Sequence, residues 1–599
     1  MTQYAGESGL WAIANIQFKT LPNNLCLVIR VDTGAVSVMD ARWKPAIAFL
    51  QPFRSLKQHL GVLVQKIPAF RPHEKTLLDL LHHLCRDGIL VAGKQLAADL
   101  VKPSSTPEPE RHPLGIAVTT CDRPQQLERL LASLLTNERE HGNAWRFQIV
   151  DDSRHPDSIQ QNKDLIVRYS NGLDLQYCGR EARLDFLDLL LDELPQDAQH
   201  LRWLLDTDDP FHAGQITYGC PKNYLILRNA GGRLILIDDD AVMKTWLRPG
   251  TKRAFRFGEV GQARDLANDM QSLTAALKAQ HQDPIGEHAK ILGHGLAAAI
   301  HATRAAASMD DLLGLANPGH LPVVDRTDTR IKATMNALVG DPGTADDISL
   351  LYRDQDVLRV SADDAAYRRL LSLPRCVFNG HPWSMLTNQG YFLLATMAGI
   401  DLGPYFPPLM PVGRGEDTMI ACFLKLLYPG NLALVLPWAM EHLPIPPRPW
   451  RITPEKLVEQ LSPAAAWCIW ASASAIGTSS ADPRVKLEAL KSHILGLAAT
   501  MAGRDRLRDE FNAAIKQNWA YLYGELARTF NNNQAAGQLW RVDMDCILVG
   551  LQQLLASADV VRPEAMAYLI EQNRRYFETT DAWNRAYALV SAGLPTYRN

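Results

Sequence analysis

The chain has 599 residues, of which 47% are hydrophobic, 21% charged and 8% aromatic, and its formal net charge is -3. At roughly 100–200 residues per domain this length implies several units, and the composition excludes collagen-like, disordered and disulfide-scaffold classes. So small a net charge supplies no global field to select nucleic acid or an anionic membrane, and no nucleic-acid partner is expected.

In chain order, CLVIRVDTGAVSVMD alternates about Asp32-Thr33-Gly34 and predicts a hairpin. Helix-like runs follow in PAIAFLQPF, SLKQHLGVLVQKI and HEKTLLDLLHHLCRDG, then a short strand in ILVAG. A small strand pair with three helices reads as a winged-helix-like module over 1–100, mildly basic from residue 41 on. The run VKPSSTPEPERHP, 101–113, reads as a solvated linker. Strand and helix signals alternate through 114–450: GIAVTTC, PQQLERLLASLL, WRFQIVDDS, Leu173 to Cys178, ARLDFLDLLLDEL and GRLILIDDD. Such alternation implies an α/β layer on a mostly parallel sheet. The four prolines of LPIPPRPW, Leu443–Trp450, stop both helix and central strand. Residues 451–599 are Ala/Leu-rich with helical periodicity, opening at Thr453-Pro454, and read as an all-α unit that could serve as a dimer face. Within it Ala464 to Ile476 reads as a packed helix. The nine cysteines form no C-x-x-C pair, so they read as reduced thiols of a cytoplasmic protein. No secretory signal and no integral membrane segment is expected.

The chemistry concentrates at predicted strand ends. In a strand, residues i and i+2 point to one side, so Asp238 and Asp240 would present two carboxylates together at the C-terminal edge of the sheet. Three adjacent acids repel one another, and a divalent cation with hard oxygen ligands, Mn²⁺ or Mg²⁺, relieves that repulsion. A solvated strand end or a helix cap explains an isolated Asp triplet equally well. The surroundings favour a site: Thr119, Thr120, Asp122 and Arg123 close the first strand, and Asp151-Asp152-Ser153 close the second. Glu416-Asp417 open an apolar helix, where acids oppose the macrodipole and where one can also serve as a general base. His442 precedes the proline-rich run, while the spacing of His288, His294 and His301 suggests one helix face, in the core or at the surface.

On these residues the span 115–240 resembles the GT-A fold glycosyltransferases, within them the large inverting family of polysaccharide and bacterial cell-surface sugar transferases. The motifs are GIAVTTCDRPQQLERLLASL, IVDDS, Gly219 to Asn223, and ILRNAGGRLILIDDDAV. The resemblance implies a Rossmann-like nucleotide-sugar-binding domain over 114–450. It places Thr119, Asp122, Arg123, Asp151, Asp152, Asn223 and the middle acid Asp239 at the donor, with Arg228 as a further diphosphate contact. Mn²⁺ or Mg²⁺ would sit on Asp238 and Asp240 with His442 as an added ligand, and Asp417, or Glu416 beside it, would be the base. The gap from Asp152 to Asp238 is long for the family, Pro195 to Phe211 reads as an insertion, and 245–375 has no match. Residues 1–100 resemble the winged-helix peptide-recognition elements of ribosomal-peptide biosynthesis, which bind a leader as an added strand. The expectation is a metal-dependent glycosyltransferase acting from a nucleotide-diphosphate sugar on an acceptor hydroxyl of a peptide or a cell-surface glycan. A nucleotidyltransferase is one alternative, although TTCDRPQQ has no glycine to form its phosphate loop. A catalytically inactive scaffold with a peptide-binding N-terminal module is the other.

Overall fold

The computed structural model describes residues 9–14, 16–30, 33–47, 49–93, 113–212, 214–257, 265–303, 329–343, 347–352, 361–387, 396–459, 461–474, 480 and 482–594. The linker expected over 101–113 lies outside them except for Pro113, as does Ile476 at the end of the expected packed helix. Near the N-terminus, β1 (Trp11–Ile13), β2 (Ile16–Leu21), β3 (Leu25–Arg30) and β4 (Val36–Asp40) precede α1 (Leu56–Lys66), α2 (Glu74–Arg86) and β5 (Leu90–Ala92). The expected hairpin is β3–β4, with Ile29 opposite Val36. The strand pair becomes a three-stranded antiparallel sheet because β2 joins the other edge of β3, while β1 pairs with β5. Strand β2 lacks a continuous apolar run, since Gln17, Lys19 and Thr20 interrupt it. PAIAFLQPF yields one short turn of helix, Lys44–Ile47. Ser55 and Gln58 close a reciprocal capping box at the start of α1. Val28, Met39, Leu63, Leu77, Leu81 and Leu84 share one small core under this sheet.

The largest layer is a thirteen-stranded sheet. Its first half is β6 (Leu114–Thr120), α3 (Pro124–His141), β7 (Arg146–Asp151), α4 (Pro156–Tyr169), β8 (Asp174–Cys178), α5 (Arg180–Glu193), α6 (Ala198–Leu205), α7 (Gly219–Arg228) and β9 (Arg233–Asp238). Strands β9, β6, β7 and β8 are neighbours in that order and all parallel. Their alternation sorts side chains to two faces. Ile116 and Val118 of β6 and Ile235 and Ile237 of β9 pack with Leu127, Leu130 and Leu131 of α3. Ala117, Leu234 and Leu236 enter the opposite core with Leu225 of α7. Burying a leucine side chain contributes about 1.5–3 kcal/mol, so both faces must be covered, as parallel sheets require.

The second half departs from the expected parallel order. It holds β10 (Ala241–Leu247), β11 (Phe255–Phe257), β12 (Asp265–Ala267), β13 (Lys278–Gln280), α8 (Pro284–Ala289), α9 (Leu296–Ala302), β14 (Ile331–Gly340), β15 (Cys376–Phe378), β16 (Ser384–Thr387), β17 (Met397–Asp401), α10 (Glu416–Leu426) and β18 (Leu432–His442). Strand β17 runs antiparallel to both β9 and β14. Strand β18 is parallel to β14 and antiparallel to β10 and β16. Strand β9 turns straight into β10 at Asp239-Asp240, with no crossover helix between them, yet β10 pairs with β18 and β13 and leaves that edge of β9 to the antiparallel β17. The three histidines do not share one helix. His288 lies on α8, His301 on α9, and His294 between them, where Gly293 at φ +78° breaks the chain direction. His288 is buried with Nδ1 2.7 Å from Thr334 Oγ1, and burial pushes its pKa down to about 3.

The C-terminal region is helical: α11 (Pro463–Ala473), α12 (Pro483–Ala498), α13 (Met501–Asn532), α14 (Gln538–Ala556) and α15 (Pro563–Ser591). Trp467, Phe577 and Trp583 of these helices enter the same core as Leu234 and Leu236. The overall architecture is therefore a mixed α/β layer with a helical C-terminal region. Among the described residues no helix is long and apolar enough to cross a membrane.

Candidate functional site

Register sets the site. Thr119 of β6 lies opposite Asp238 of β9, and Thr120 opposite Asp151 of β7, so three parallel strands end level at one edge. Ligands of open α/β sheets bind at such an edge. Asp238 and Asp240 converge, but not by strand alternation as expected. Strand β9 ends at Asp238, and the turn through Asp239 and Asp240 brings the second carboxylate back. The antiparallel register of β10 with β18 sets His442 opposite Ala241, beside that turn. One ligand atom from each of Asp238, Asp240 and His442 lies within 4.8 Å of the others.

Each member of the group is electrostatically constrained. Burial and the neighbouring Asp240 push the Asp238 carboxyl up to about 7, against the pull of Lys222 and His442. Asp240 feels the same burial, yet His442, whose Nε2 is 2.8 Å away, and Arg448 at 3.1 Å hold its pKa below the ordinary value. Burial works against the charged His442 ring, but Asp240 outweighs it and raises the pKa. Nδ1 of His442 donates to the carbonyl of Asp341 at 2.5 Å, which leaves Nε2 facing the two acids. Arg448 also reaches Asp341 at 3.2 Å, and buried Arg375 ties Asp341 to Asp347. The proline-rich run after β18 is irregular as expected; Arg448 within it lines the cavity, and the Ile445 carbonyl accepts from Gln126 Nε2 at 2.8 Å.

The other candidates fall into two groups. Thr119, Arg123, Asp152, Asp239, Glu416 and Asp417 join Asp238, Asp240 and His442 around one cavity of about 430 Å³. Asp239 accepts from Thr120 Oγ1 at 2.8 Å and pairs with Arg123 at 3.4 Å, and burial pushes its pKa up to about 6 despite Arg123. Asp152 is paired at 2.5 Å with Arg183. By contrast Asp122, Asp151, Asn223 and Arg228 do not line the cavity. The Asp151 carboxylate accepts from Ser153 N, Asn162 Nδ2 and Tyr177 Oη, at 2.8, 2.9 and 2.8 Å. Asp122 sits at φ +54° and its carboxylate accepts from the backbone of Arg154 and His155. Arg228 is engaged by Tyr224 Oη and Gln176 Oε1.

Asn223 is fully buried beneath the cavity's lining residues Pro221 and Lys222 and is bonded to the backbone. Its amide donates to the carbonyls of Leu204 and Leu409 and accepts from Leu409 N. Gly219, one turn earlier on α7, approaches so closely that a Cβ there would lie 2.0 Å from the Met410 carbonyl. The Gly219–Asn223 motif thus anchors the loop that leads to Gly415, which takes φ +98° and starts α10 at Glu416-Asp417. Lys222, between the two motif residues, reaches across: its Nζ is 2.8 Å from Glu416 and 2.6 Å from Asp417. Burial and Glu416 push the Asp417 pKa up to about 6, with Lys222 opposing. Lys222, Arg414 and Arg448, all lining the cavity, were missed in the sequence. Lys222 lies inside the Gly219–Asn223 motif, and Arg448 is an isolated cation among prolines.

No protein-family model matches the chain, and no curated protein does. Among solved structures, a mannosyltransferase from Pyrobaculum calidifontis in complex with GDP-Man and Mn²⁺ aligns at 12% identity over 82% of this chain and 93% of its own, with a TM-score of 0.27. Residues 1–349 of S. aureus TarS align at 11% identity over 79% of this chain and 91% of that one, TM-score 0.23. The UDP complex of the same TarS fragment gives 12%, 79%, 91% and 0.25. At these TM-scores the likeness carries no functional weight, and the geometry of the site bears the reading below.

Proposed function

We propose that the chain is a glycosyltransferase that moves a sugar from a nucleotide-diphosphate donor to an acceptor hydroxyl. The observation that carries this reading is the facing of two groups across one cavity: Asp238, Asp240 and His442 on the strand-end side, and Lys222 with Glu416-Asp417 on the other. Two carboxylates and an imidazole at mutual ligand distance suit Mn²⁺ or Mg²⁺, and the raised Asp238 pKa shows that its charge is poorly compensated by the protein alone. Asp238, Asp240 and His442 would hold the ion, which when bound supplies Lewis-acid neutralisation of a diphosphate.

The remaining work falls to the chain's own groups. Arg123 and Arg448 line the donor side and offer positive charge to the diphosphate oxygens. Lys222 fixes the orientation of the Glu416-Asp417 pair. Asp417, with its pKa near 6, is ionised at neutral pH yet more basic than an ordinary carboxylate, which suits a general base. It takes the acceptor hydroxyl proton as the acceptor oxygen bonds to the anomeric carbon. The bond from that carbon to the diphosphate oxygen breaks, its electron pair leaves with the nucleotide diphosphate, and a single displacement inverts the anomeric centre.

Thermal shift with UDP, GDP, CMP and dTDP, each with and without Mn²⁺, tests this. A ligand that binds the native state raises apparent stability by RT ln(1 + [L]/Kd). The expected outcome is a shift that needs both Mn²⁺ and one nucleotide. A chain unmoved by every pair would sink the reading.

A further inference from the structure

Two of the arginines that line the nucleotide cavity are held differently. Arg123 makes one pair, with Asp239 at 3.4 Å. Arg448 spans two acids: one terminal nitrogen is 3.1 Å from Asp240 and the other 3.2 Å from Asp341. A guanidinium presents its N–H donors in a rigid plane. One bond from each terminal nitrogen fixes that plane and leaves further donors on the group. The side chain remains 33% exposed at the cavity wall.

Asp341 lies behind the wall, immediately after β14, and does not line the cavity. It belongs to a cluster of charged groups with almost no exposure: Asp341 at 3%, Asp347 at 2% and Arg375 at 3%. Charged side chains are so deeply buried only when paired. Arg375 grips Asp341 with two nitrogens, Nε at 3.1 Å and a terminal nitrogen at 2.9 Å, and its other terminal nitrogen meets Asp347. By formal charge, two acids on one arginine leave one negative charge over. Arg448 supplies the counter-charge from the cavity side. The same cluster holds the backbone beyond Arg448, because Asp347 accepts from Arg451 N at 2.6 Å. The head of Arg448 and the chain that carries it are thus tied to one buried arginine, Arg375.

A mount of this kind serves recognition better than charge alone does. A single phosphate can be met by an ion on the neighbouring acids. A second phosphate extends further, and a fork held at a fixed angle can bond its oxygens in pairs. We propose that Asp341, locked by Arg375, is a positioning residue that aims Arg448 at a diphosphate, so that the site binds diphosphates in preference to monophosphates. The inference rests on the transferase reading and names what selects the phosphate chain of its donor. It depends on the fork and not on the charge. A lysine at 448 would carry the same charge but could not span Asp240 and Asp341 with a planar group.

The test is isothermal titration calorimetry on the full chain in Mn²⁺. The probes are pyrophosphate against orthophosphate, and UDP and GDP against UMP and GMP. Arg448→Gln, Arg448→Lys and Asp341→Asn should each weaken the diphosphate probes by about tenfold and the monophosphates by no more than about twofold. Asp341→Asn keeps the side-chain shape and the backbone carbonyl that His442 uses. The double variant Asp341→Asn/Arg448→Gln should bind diphosphates no more weakly than Arg448→Gln alone, since the two residues act as one unit. The Arg448 variants alter a partly exposed side chain, so the lysine result stands even if the buried Asp341 variant does not fold. Parent-like diphosphate binding by Arg448→Lys would overturn the proposal. So would equal loss of mono- and diphosphates in Asp341→Asn, or losses that add in the double variant. Pyrophosphate binding in the expected pattern with no nucleotide bound removes the transferase reading and keeps the mount. Nucleotide diphosphates that bind alike to the parent and all variants keep the transferase and remove the mount, and a chain that binds no probe removes both.

Discussion

The ends of β7 and β9 look alike in sequence and differ in the fold. Each is an apolar strand closing in consecutive acids. At the end of β7, Asp151 is buried and takes three hydrogen bonds from Ser153, Asn162 and Tyr177. At the end of β9, no hydrogen-bond donor among the described residues holds the Asp238 carboxylate, which instead meets Asp240 and His442. A satisfied buried acid stabilises a turn, whereas an acid buried without donors stores an unmet demand for positive charge. The partners of an acid, more than its place at a strand end, separate scaffold from site.

Three substitutions or conditions would break or sharpen that contrast. The largest effect belongs to Asp238→Asn, which should lower the transfer rate by about a thousandfold or more while leaving the urea midpoint undiminished. Initial rates with the nucleotide sugar chosen by thermal shift measure it, and retention of most activity would take Asp238 out of the site. Next, Asp151→Ala should cost about 2–4 kcal/mol of stability, because it strands the buried Asn162 amide and leaves the half-buried Tyr177 hydroxyl without its acceptor. Urea unfolding reads this, and unchanged stability with lost nucleotide affinity would move Asp151 into the donor site. The smallest effect is on pH dependence. Asp417 must be ionised to accept a proton, and its pKa is near 6. The rate should therefore be flat above pH 7 and fall by about tenfold per unit below pH 6. A rate profile flat down to pH 5 would exclude Asp417 as the base.

The parallel half of the sheet was legible because its signals are local. In each strand the apolar run and the polar residues that close it lie within a few positions of one another, GIAVTTCD at 115–122 and LILIDDD at 234–240. The other half depends on pairings no local pattern encodes: β9 is followed in sequence by β10, yet its sheet neighbour on that side is β17. The same holds for the site. Asp238 and Asp240 were visible as a triplet, but Lys222 meets Glu416 across 194 positions and Arg448 meets Asp240 across 208. Asn223 was visible in its motif, but its bonds to Leu204 and Leu409, far away in the sequence, were not. The histidine spacing misled because Gly293 interrupts the helix that the periodicity implied.

The loop that carries Gly415 and the base is pinned from afar. Tyr576 Oη and Trp583 Nε1 each donate to it, at the carbonyls of Pro408 and Phe406, both at 2.8 Å, and Tyr587 does so at Leu402. A ribosome that has finished β18 has already made the proposed base, but none of the α15 side chains that fasten the loop before it. The loop is thus held by side chains that are made last, and a nascent chain stalled short of them lacks all three of these bonds.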